Sequence, residues 1–277
     1  MSLDPDRLLN LSIASREVVY RDREPMQYAL AVGAGADELD LVYERDLKVV
    51  PSFVQILGFD DSWLAAGGVD LASVVHGGLD IGFEGGLAPS GAVNVETEIV
   101  GLSDKGQGRG GIIQQQTRLT QGGIAVSRSL SSLFVRGGGG FGGDRSVQPE
   151  SIRLPDTDPD GECETPTTRN QALLFRLLGD RNPLHVDPHA ARTAGFEGPI
   201  LHGAATFGVA CLTVLRRYCA GDPARLLRFS ARFSGPLYPG ETLVFSFWRT
   251  QGGAMFRARA KERASPVLDG GLAQFRD

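Results

Sequence analysis

Cysteine and histidine, the side chains that most often form disulfides or bind transition metals, are scarce in this sequence. Its 277 residues include three cysteines and four histidines. Three cysteines cannot all pair, and Cys211 falls on the apolar side of a predicted helix, where it acts as a small hydrophobic residue. No histidines have the spacing of a metal-binding motif. We therefore expect reduced thiols, a reducing compartment and no metal ion.

Long runs of one kind of residue are also missing. No lysine and arginine run is long enough to follow a nucleic-acid backbone, and the net charge is −5, so nucleic acid is not an expected partner. No stretch approaches the roughly 20 apolar residues that cross a bilayer. No N-terminal run resembles a signal peptide, and the last residues are not a peroxisomal Ser-Lys-Leu signal. These absences predict a cytoplasmic protein that has no membrane partner.

The hydrophobic content, 42% of the chain, is enough for one or two globular domains. Residues 39–43 alternate like a short strand, and the charged residues 16–27 are predicted to be a solvated lead-in. A tight turn is predicted at Gly122-Gly123 between two strands. Alternating apolar residues predict strands in both halves of the chain, at 93–99, 111–119, 124–135, 226–233, 243–249 and 255–262.

Between these two sets of strands the composition changes to glycines followed by an acidic run, which is typical of an interdomain linker. We predict an N-terminal domain over 1–136, a linker over 137–165 and a C-terminal domain over 166–277. A weak internal repeat supports two similar domains, because a proline-containing turn precedes a strand in each half. The glycine cluster lacks the lysine and the strand-to-helix context of a phosphate-binding loop.

The densest chemistry lies between residues 178 and 208. Asp180, Asn182 and His185 fall within six residues, and Pro183 stiffens the backbone between them. A short helix capped by Asp187 is predicted next, and a longer helix over about 206–218 is predicted to bury one apolar stripe. The start of this second helix at Gly203 directs free amides towards the loop. This arrangement suits chemistry on a carbonyl whose oxygen gains negative charge.

The segment Gly-Asp-Arg-Asn-Pro-Leu-His at 179–185 resembles the signature of the MaoC-like dehydratases, and in particular of the type 2, (R)-specific 2-enoyl-CoA hydratases. The resemblance covers nearly the whole chain. Further matching segments stand in the order that the family has them, at 28–34, 89–91, 104–106, 139–143, 195–203 and 232–240.

This resemblance implies an α+β double hot-dog fold, in which an antiparallel sheet wraps around a helix twice and only the second copy keeps the long helix. It implies reversible hydration of trans-2-enoyl-CoA to (R)-3-hydroxyacyl-CoA in fatty acid metabolism. Asp180 and His185 would share one water, Asn182 would fix their geometry, and the Gly203 amide would bind the thioester oxygen. The thioester is the substrate, so no cofactor is implied. The first domain, broken by Gly67, Gly68, Gly77 and Gly78, would shape the acyl pocket.

Other candidate residues would contact the CoA part of the substrate: His76, Gly77, Lys105, Phe141 and Arg232. His76 is equally consistent with a buried core residue and with a residue that lines the pantetheine channel. His189 is predicted to be solvated, and His202 is predicted to be structural. Two departures from the family pattern, at Leu178 and at Gly78-Leu79, bear on substrate preference more than on activity.

Several alternatives remain open from the sequence. The same residues suit dehydration of a 3-hydroxyacyl group on a carrier protein, and hot-dog proteins also include acyl-CoA thioesterases. A non-catalytic acyl-CoA binding module is a third alternative, although it would have no use for Asp180 and His185. Two hot dogs in one chain imitate a dimer, so the sequence is consistent with a monomer and with a homodimer.

Overall fold

The computed structural model describes residues 2–146 and 152–276. The helices are α1 (Pro5–Leu9), α2 (Arg23–Ala31), α3 (Leu39–Val42), α4 (Val54–Leu57), α5 (Trp63–Ala66), α6 (Gln171–Phe175), α7 (Pro188–Thr193) and α8 (Gly203–Tyr218). The strands are β1 (Arg16–Tyr20), β2 (Val74–Phe83), β3 (Gly91–Asp104), β4 (Gly110–Gln121), β5 (Ile124–Arg136), β6 (Arg145–Ser146), β7 (Gly161–Pro166), β8 (Leu226–Phe233), β9 (Thr242–Thr250), β10 (Gly253–Ala260) and β11 (Pro266–Phe275).

These strands form one antiparallel sheet that contains the same topology twice. The strand order is β1-β3-β4-β5-β2-β8-β11-β10-β9-β7, and β6 pairs with β3 at the side. Leaving β6 aside, the first half has the order β1-β3-β4-β5-β2. Read from the opposite edge of the sheet, the second half has the equivalent order β7-β9-β10-β11-β8. The weak sequence repeat therefore corresponds to a repeat of topology. The halves join where β2 pairs with β8, from Gly78 opposite Arg232 to Gly82 opposite Arg228.

The long helix α8 occupies the centre of the second half, between β7 and β8 in the chain. The sequence predicts one buried stripe, but every residue from Ala205 to Leu215 is buried. Elements of both halves cover the helix, because Phe207 packs on Phe229 of β8 and Gly208 lies against the first-half helix α2. Among the described residues, no helix has the length and apolar character that a bilayer span requires.

The equivalent position in the first half holds only short helices. Between β1 and β2 the longest is α2, with nine residues, which agrees with the expectation that the long helix is missing there. The prediction that four glycines break this helix is wrong in part. Gly67 and Gly68 do follow a helix, α5. Gly77 and Gly78 lie instead in strand β2, at a register shift against β5.

Other local predictions differ from the structure for tertiary reasons. Residues 39–43 form helix α3 instead of a strand. Residues 16–27 are not a solvated lead-in, because they contain edge strand β1 and the start of α2, and Tyr20 is buried. Strand β11 was not predicted, since its Pro, Asp and two Gly residues have low strand propensity. Its pairing with both β8 and β10 stabilises the strand instead.

The region predicted as a linker is partly ordered by the sheet. Within it, β6 pairs with β3 of the first half, and the carbonyl of Thr157 accepts a hydrogen bond from the Nε1–H of Trp248 in the second half. Glu162 and Glu164 lie in strand β7, which pairs with β9, so the last acidic residues belong to the sheet. Residues 147–151 of the predicted linker lie outside the described residues.

The glycine cluster is held by an aspartate of the same chain. The Asp104 carboxylate accepts hydrogen bonds from the backbone amides of Gly140, Gly106, Gly143 and Gly142, and these bonds hold its pKa far below the usual range. The amides that a phosphate loop would offer to a ligand are therefore engaged by Asp104.

Gly208 is the position where α8 depends most on a missing side chain. A Cβ at this position would overlap the side chains of Val32 and Tyr28, which are both fully buried. We expect Gly208→Ala to lower the free energy of unfolding by about 1–3 kcal/mol, because this overpacking exceeds the gain in helix propensity of about 1 kcal/mol. Chemical denaturation of the variant measures the change.

The matched control is Gly86→Ala, since Gly86 is exposed and has open space around it. This substitution should leave the stability within about 0.5 kcal/mol of wild type. Equal stability of Gly208→Ala and wild type would contradict the close packing of α2 on α8.

Candidate active site

The loop that carries Asp180 is shaped by its own polar side chains. Helix α6 continues as a 3₁₀ turn to Leu178 and stops at Gly179, whose φ of 132° is accessible mainly to glycine. The backbone N–H of Asn182 donates to Asp180 Oδ1 at 3.1 Å, and that of Leu184 donates to Asn182 Oδ1 at 3.0 Å. The Asn182 side chain thus stabilises the turn that places the residues on either side of it.

His185 ends this turn as a buried side chain, with 8% of its surface exposed. Its Nδ1 lies 2.9 Å from the carbonyl oxygen of Ile200, so we assign the proton to Nδ1 and the free lone pair to Nε2. That Nε2 lies 3.9 Å from Asp180 Oδ2. This distance is too long for a direct hydrogen bond, but both atoms are acceptors for the two hydrogens of a single water.

His202, which was predicted to be structural, lies inside this group. Its side chain is 1% exposed, and its ring stacks on that of His185 with a centroid distance of 3.7 Å and an interplanar angle of 24°. The Nε2 of His202 is 3.2 Å from the main-chain oxygen of Asp180. The sequence signal was the position of His202 directly before the predicted start of α8.

The donor atoms of Asp180, His185 and His202 all lie within 4.8 Å of one another, which is close enough to suggest a metal centre. The ring geometry does not fit this interpretation. The lone pairs of imidazoles lie in the ring planes, and two stacked rings direct them side by side instead of towards one point.

Burial, and then the neighbouring His185, lower the pKa of His202 to about 4.

The N-terminus of α8 lies against the same group. Gly203 begins the helix directly after His202, and the first amides of a helix have no acceptor within it. A Cβ at Gly203 would be in ordinary contact with the Phe233 ring, at 3.5 Å. From the first half, the Gln55 Nε2 donates to the carbonyl of Ala204 at 3.1 Å. No sequence pattern singles out Gln55, and Phe233 falls within the family-like segment 232–240 without a role being assigned to it.

Three of the five candidate CoA contacts lie near the junction of β2 and β8. The His76 ring is 5.0 Å from that of Phe233, which links it to Gly203. Burial lowers the pKa of His76 to about 4, and its buried Nε2 has no hydrogen-bond partner among the described residues. Gly77 follows His76 in β2, at the register shift against β5. Arg232 belongs to β8, where it lies opposite Gly78 of β2 and forms an ion pair with Asp269 at 2.6 Å.

The other two candidates lie in the segments that follow β3 and β5. Lys105 is exposed at the turn after β3. Phe141 packs against a small apolar cluster that includes Leu3 and Val135. In the part of the chain that the structure describes, no hydrogen bond, ion pair or ring contact joins either residue to Asp180 or His185.

Two family models match the two halves of the chain. Residues 19–137 match the MFE-2 hydratase 2 N-terminal domain, and residues 151–270 match the MaoC-like domain. Among curated relatives, the 3-hydroxyacyl-thioester dehydratase Y of Mycobacterium tuberculosis is 35% identical over 99% of both chains. The peroxisomal enoyl-CoA hydratase 2 of Arabidopsis thaliana is 33% identical over 96% of this chain and 93% of its own length.

Comparison with solved structures also identifies MaoC-like proteins as similar to this chain. A MaoC-like dehydratase from Phytophthora capsici superposes with a TM-score of 0.92 at 30% identity, over 99% of this chain and 98% of that chain. The fold is the double hot dog, which is also the fold of a Mycobacterium tuberculosis protein that superposes with a TM-score of 0.60 at 14% identity. This chain belongs to the MaoC-like dehydratase family. Its first half is of the MFE-2 hydratase 2 type.

Proposed function

We propose that this protein catalyses the reversible hydration of trans-2-enoyl-CoA to (R)-3-hydroxyacyl-CoA in fatty acid metabolism. The observation that carries the proposal is the pair of acceptors, Asp180 Oδ2 and His185 Nε2, 3.9 Å apart at the N-terminus of α8. The names of the Mycobacterium and Arabidopsis relatives support it.

In the proposed reaction, the two acceptors hold one water by its hydrogens. As the water oxygen bonds to C3 of the enoyl group, one of its protons passes to the Asp180–His185 pair, and a proton is returned to C2. The C2=C3 π bond breaks, and negative charge develops on the thioester oxygen. The Gly203 amide would bind this oxygen, a kind of contact that contributes about 2.7–4 kcal/mol in other enzymes. Asn182 acts by maintaining the loop.

We propose that neither a metal ion nor a cofactor takes part. The thioester carbonyl itself makes C3 electrophilic, so the chemistry needs only proton transfer and binding of the oxygen anion. The stacked rings of His185 and His202 are poorly arranged to share one ion, which supports the same proposal.

The carrier-protein alternative uses the same residues in the reverse direction. The Mycobacterium relative is named for a thioester, without specifying CoA or carrier protein. Comparison of crotonyl-CoA with the same acyl group on an acyl carrier protein distinguishes these two substrates. Free CoA without a 3-hydroxyacyl product would indicate the thioesterase alternative.

We also propose a cytoplasmic location, although the Arabidopsis relative is named peroxisomal. The unpaired state of all three cysteines supports a reducing compartment.

The continuous sheet formed by the two halves supports a chain that works as a monomer. Light scattering distinguishes this arrangement from a homodimer.

We also propose that the first half, 1–136, forms a separate domain that shapes the acyl pocket. On the inner face of its sheet, two separate apolar clusters contain Leu119 and Ile113 respectively. Between these positions on β4 lie the polar residues Gln115 and Thr117, and Ser131 of β5 lies opposite Gln115. Ser131 is partly exposed, and we propose that the acyl chain lies along this polar row, beside the β2–β8 junction.

Asp180→Ala and His185→Gln each remove one of the two proposed proton acceptors. We expect either substitution to lower the rate of crotonyl-CoA hydration by about 10²–10⁴-fold, the usual contribution of a general acid–base group. The loss of the enoyl thioester absorbance measures the rate, and circular dichroism confirms folding. Near-wild-type turnover in a folded variant would exclude the assigned role.

Activity should decline in acid when His185 becomes protonated. Burial lowers the pKa of His185 below its ordinary value of about 6.5. The neutral, accepting form therefore persists at pH 6.5 and is lost only as the pH falls through the lower folded-state pKa. We expect kcat/KM for crotonyl-CoA to remain high at pH 6.5 and to fall at lower pH. An acid limb centred above pH 6.5 would contradict the assignment.

Ser131→Phe should narrow the proposed acyl pocket. We expect kcat/KM to fall about tenfold or more for trans-2-decenoyl-CoA and less than about threefold for crotonyl-CoA, since a short acyl group does not reach the added ring. Leu130→Phe is the matched control, because Leu130 lies on the opposite face of the same strand. Equal losses for both substrates would place the pocket elsewhere.

A further inference from the structure

We propose that His202 is a positioning residue that holds Asp180 and His185 in their working arrangement. The proposal rests on the hydration function above, but its observations are independent of the substrate. His202 makes one hydrogen bond, stacks on the ring of His185 and makes a tilted ring contact with Phe175. No other described side chain contacts both Asp180 and His185 in this way.

The hydrogen bond holds the backbone of the catalytic loop. His202 Nε2 donates to the main-chain oxygen of Asp180 at 3.2 Å, which ties the loop to the start of α8. The Asp180 side chain is 35% exposed, so packing alone does not hold it. Gly179, directly before it, has the least restricted backbone of any residue type. The bond from His202 therefore limits where the Asp180 carboxylate can lie.

The ring contacts hold the plane of the catalytic imidazole. His202 lies 3.7 Å from the His185 centroid, and the Phe175 ring lies 4.9 Å from His202. Phe175 is 1% exposed and belongs to helix α6. The bond from Nδ1 to Ile200 fixes one edge of the His185 ring, and the stack fixes its tilt. Together these contacts direct the His185 Nε2 towards Asp180.

A histidine suits this position because it is uncharged there. Burial and the neighbouring His185 and Arg176 lower the pKa of His202, while Asp180 acts in the opposite direction, and the value is about 4. At neutral pH the ring therefore donates through Nε2 without placing a positive charge beside His185. Phenylalanine would stack without donating, and glutamine would donate without stacking.

This difference defines the experiment. His202→Phe keeps a stacking ring and removes the donor, His202→Gln keeps a donor near the position of Nε2 and removes the ring, and His202→Ala removes both. We expect Phe and Gln to lower kcat for crotonyl-CoA roughly tenfold or more with KM changed less than about threefold, and Ala to be slowest. His189→Gln, at an exposed histidine of α7, should behave as wild type.

A second readout separates positioning from a general structural role. Loss of the stacked ring in the Gln and Ala variants lets water reach His185, so its pKa rises towards 6.5 and the acid limb of kcat/KM moves to higher pH. The Phe variant should keep the limb of the wild type. An NMR titration of the His185 imidazole measures the same shift without any activity.

Folded variants with wild-type kcat and an unshifted His185 titration would overturn the proposal. A variant that unfolds is replaced in the comparison by the remaining two, since each removes a different contact. Absence of hydration and dehydration in the wild-type protein would instead refute the proposed function. The NMR titrations of the Phe and Gln variants would still decide the role of His202.

Discussion

The pairing of β2 with β8 is the interaction on which the rest of the structure depends. It joins two five-stranded copies of one topology into a continuous sheet. Because the sheet continues from one half into the other, both halves cover α8, and this explains why the helix is buried on every side instead of along one stripe. The close approach of α2 at Gly208 is a consequence of the same arrangement.

The burial of α8 also determines where the chemistry lies. The helix begins beside the loop of Asp180, so the amides of its first turn, which have no acceptor within the helix, lie near the two proposed proton acceptors. The loop is held by short-range hydrogen bonds of Asp180 and Asn182 and by longer-range bonds from His202 to Asp180 and from His185 to Ile200. Rigid placement on a buried helix gives such a site its precision. The first half contributes through contacts such as Gln55 with Ala204.

Local patterns predicted strands β3, β4, β5, β8, β9 and β10, the capped helix after Asp187 and the sequence cluster of Asp180 with His185 because each depends on neighbours in the chain. The predictions failed where distant pairing decides the outcome. Strand β11 has low intrinsic propensity and is stabilised by two neighbouring strands, and β1 becomes a strand by pairing with β3. The contact of His202 with His185 could not be predicted locally because the stacking joins residues 17 positions apart.

The sequence by itself determined the Gly-Asp-Arg-Asn-Pro-Leu-His motif, the start of α8 and membership of a hot-dog family, since these follow from residue types at short, fixed spacings. Only the tertiary structure decided that Asp180 and His185 lie 3.9 Å apart, that His202 contacts both Phe175 of α6 and the imidazole of His185, and that Phe141 packs against a small core. The reason is physical: stacking, burial and the pKa of a buried imidazole depend on which distant segments exclude water from it.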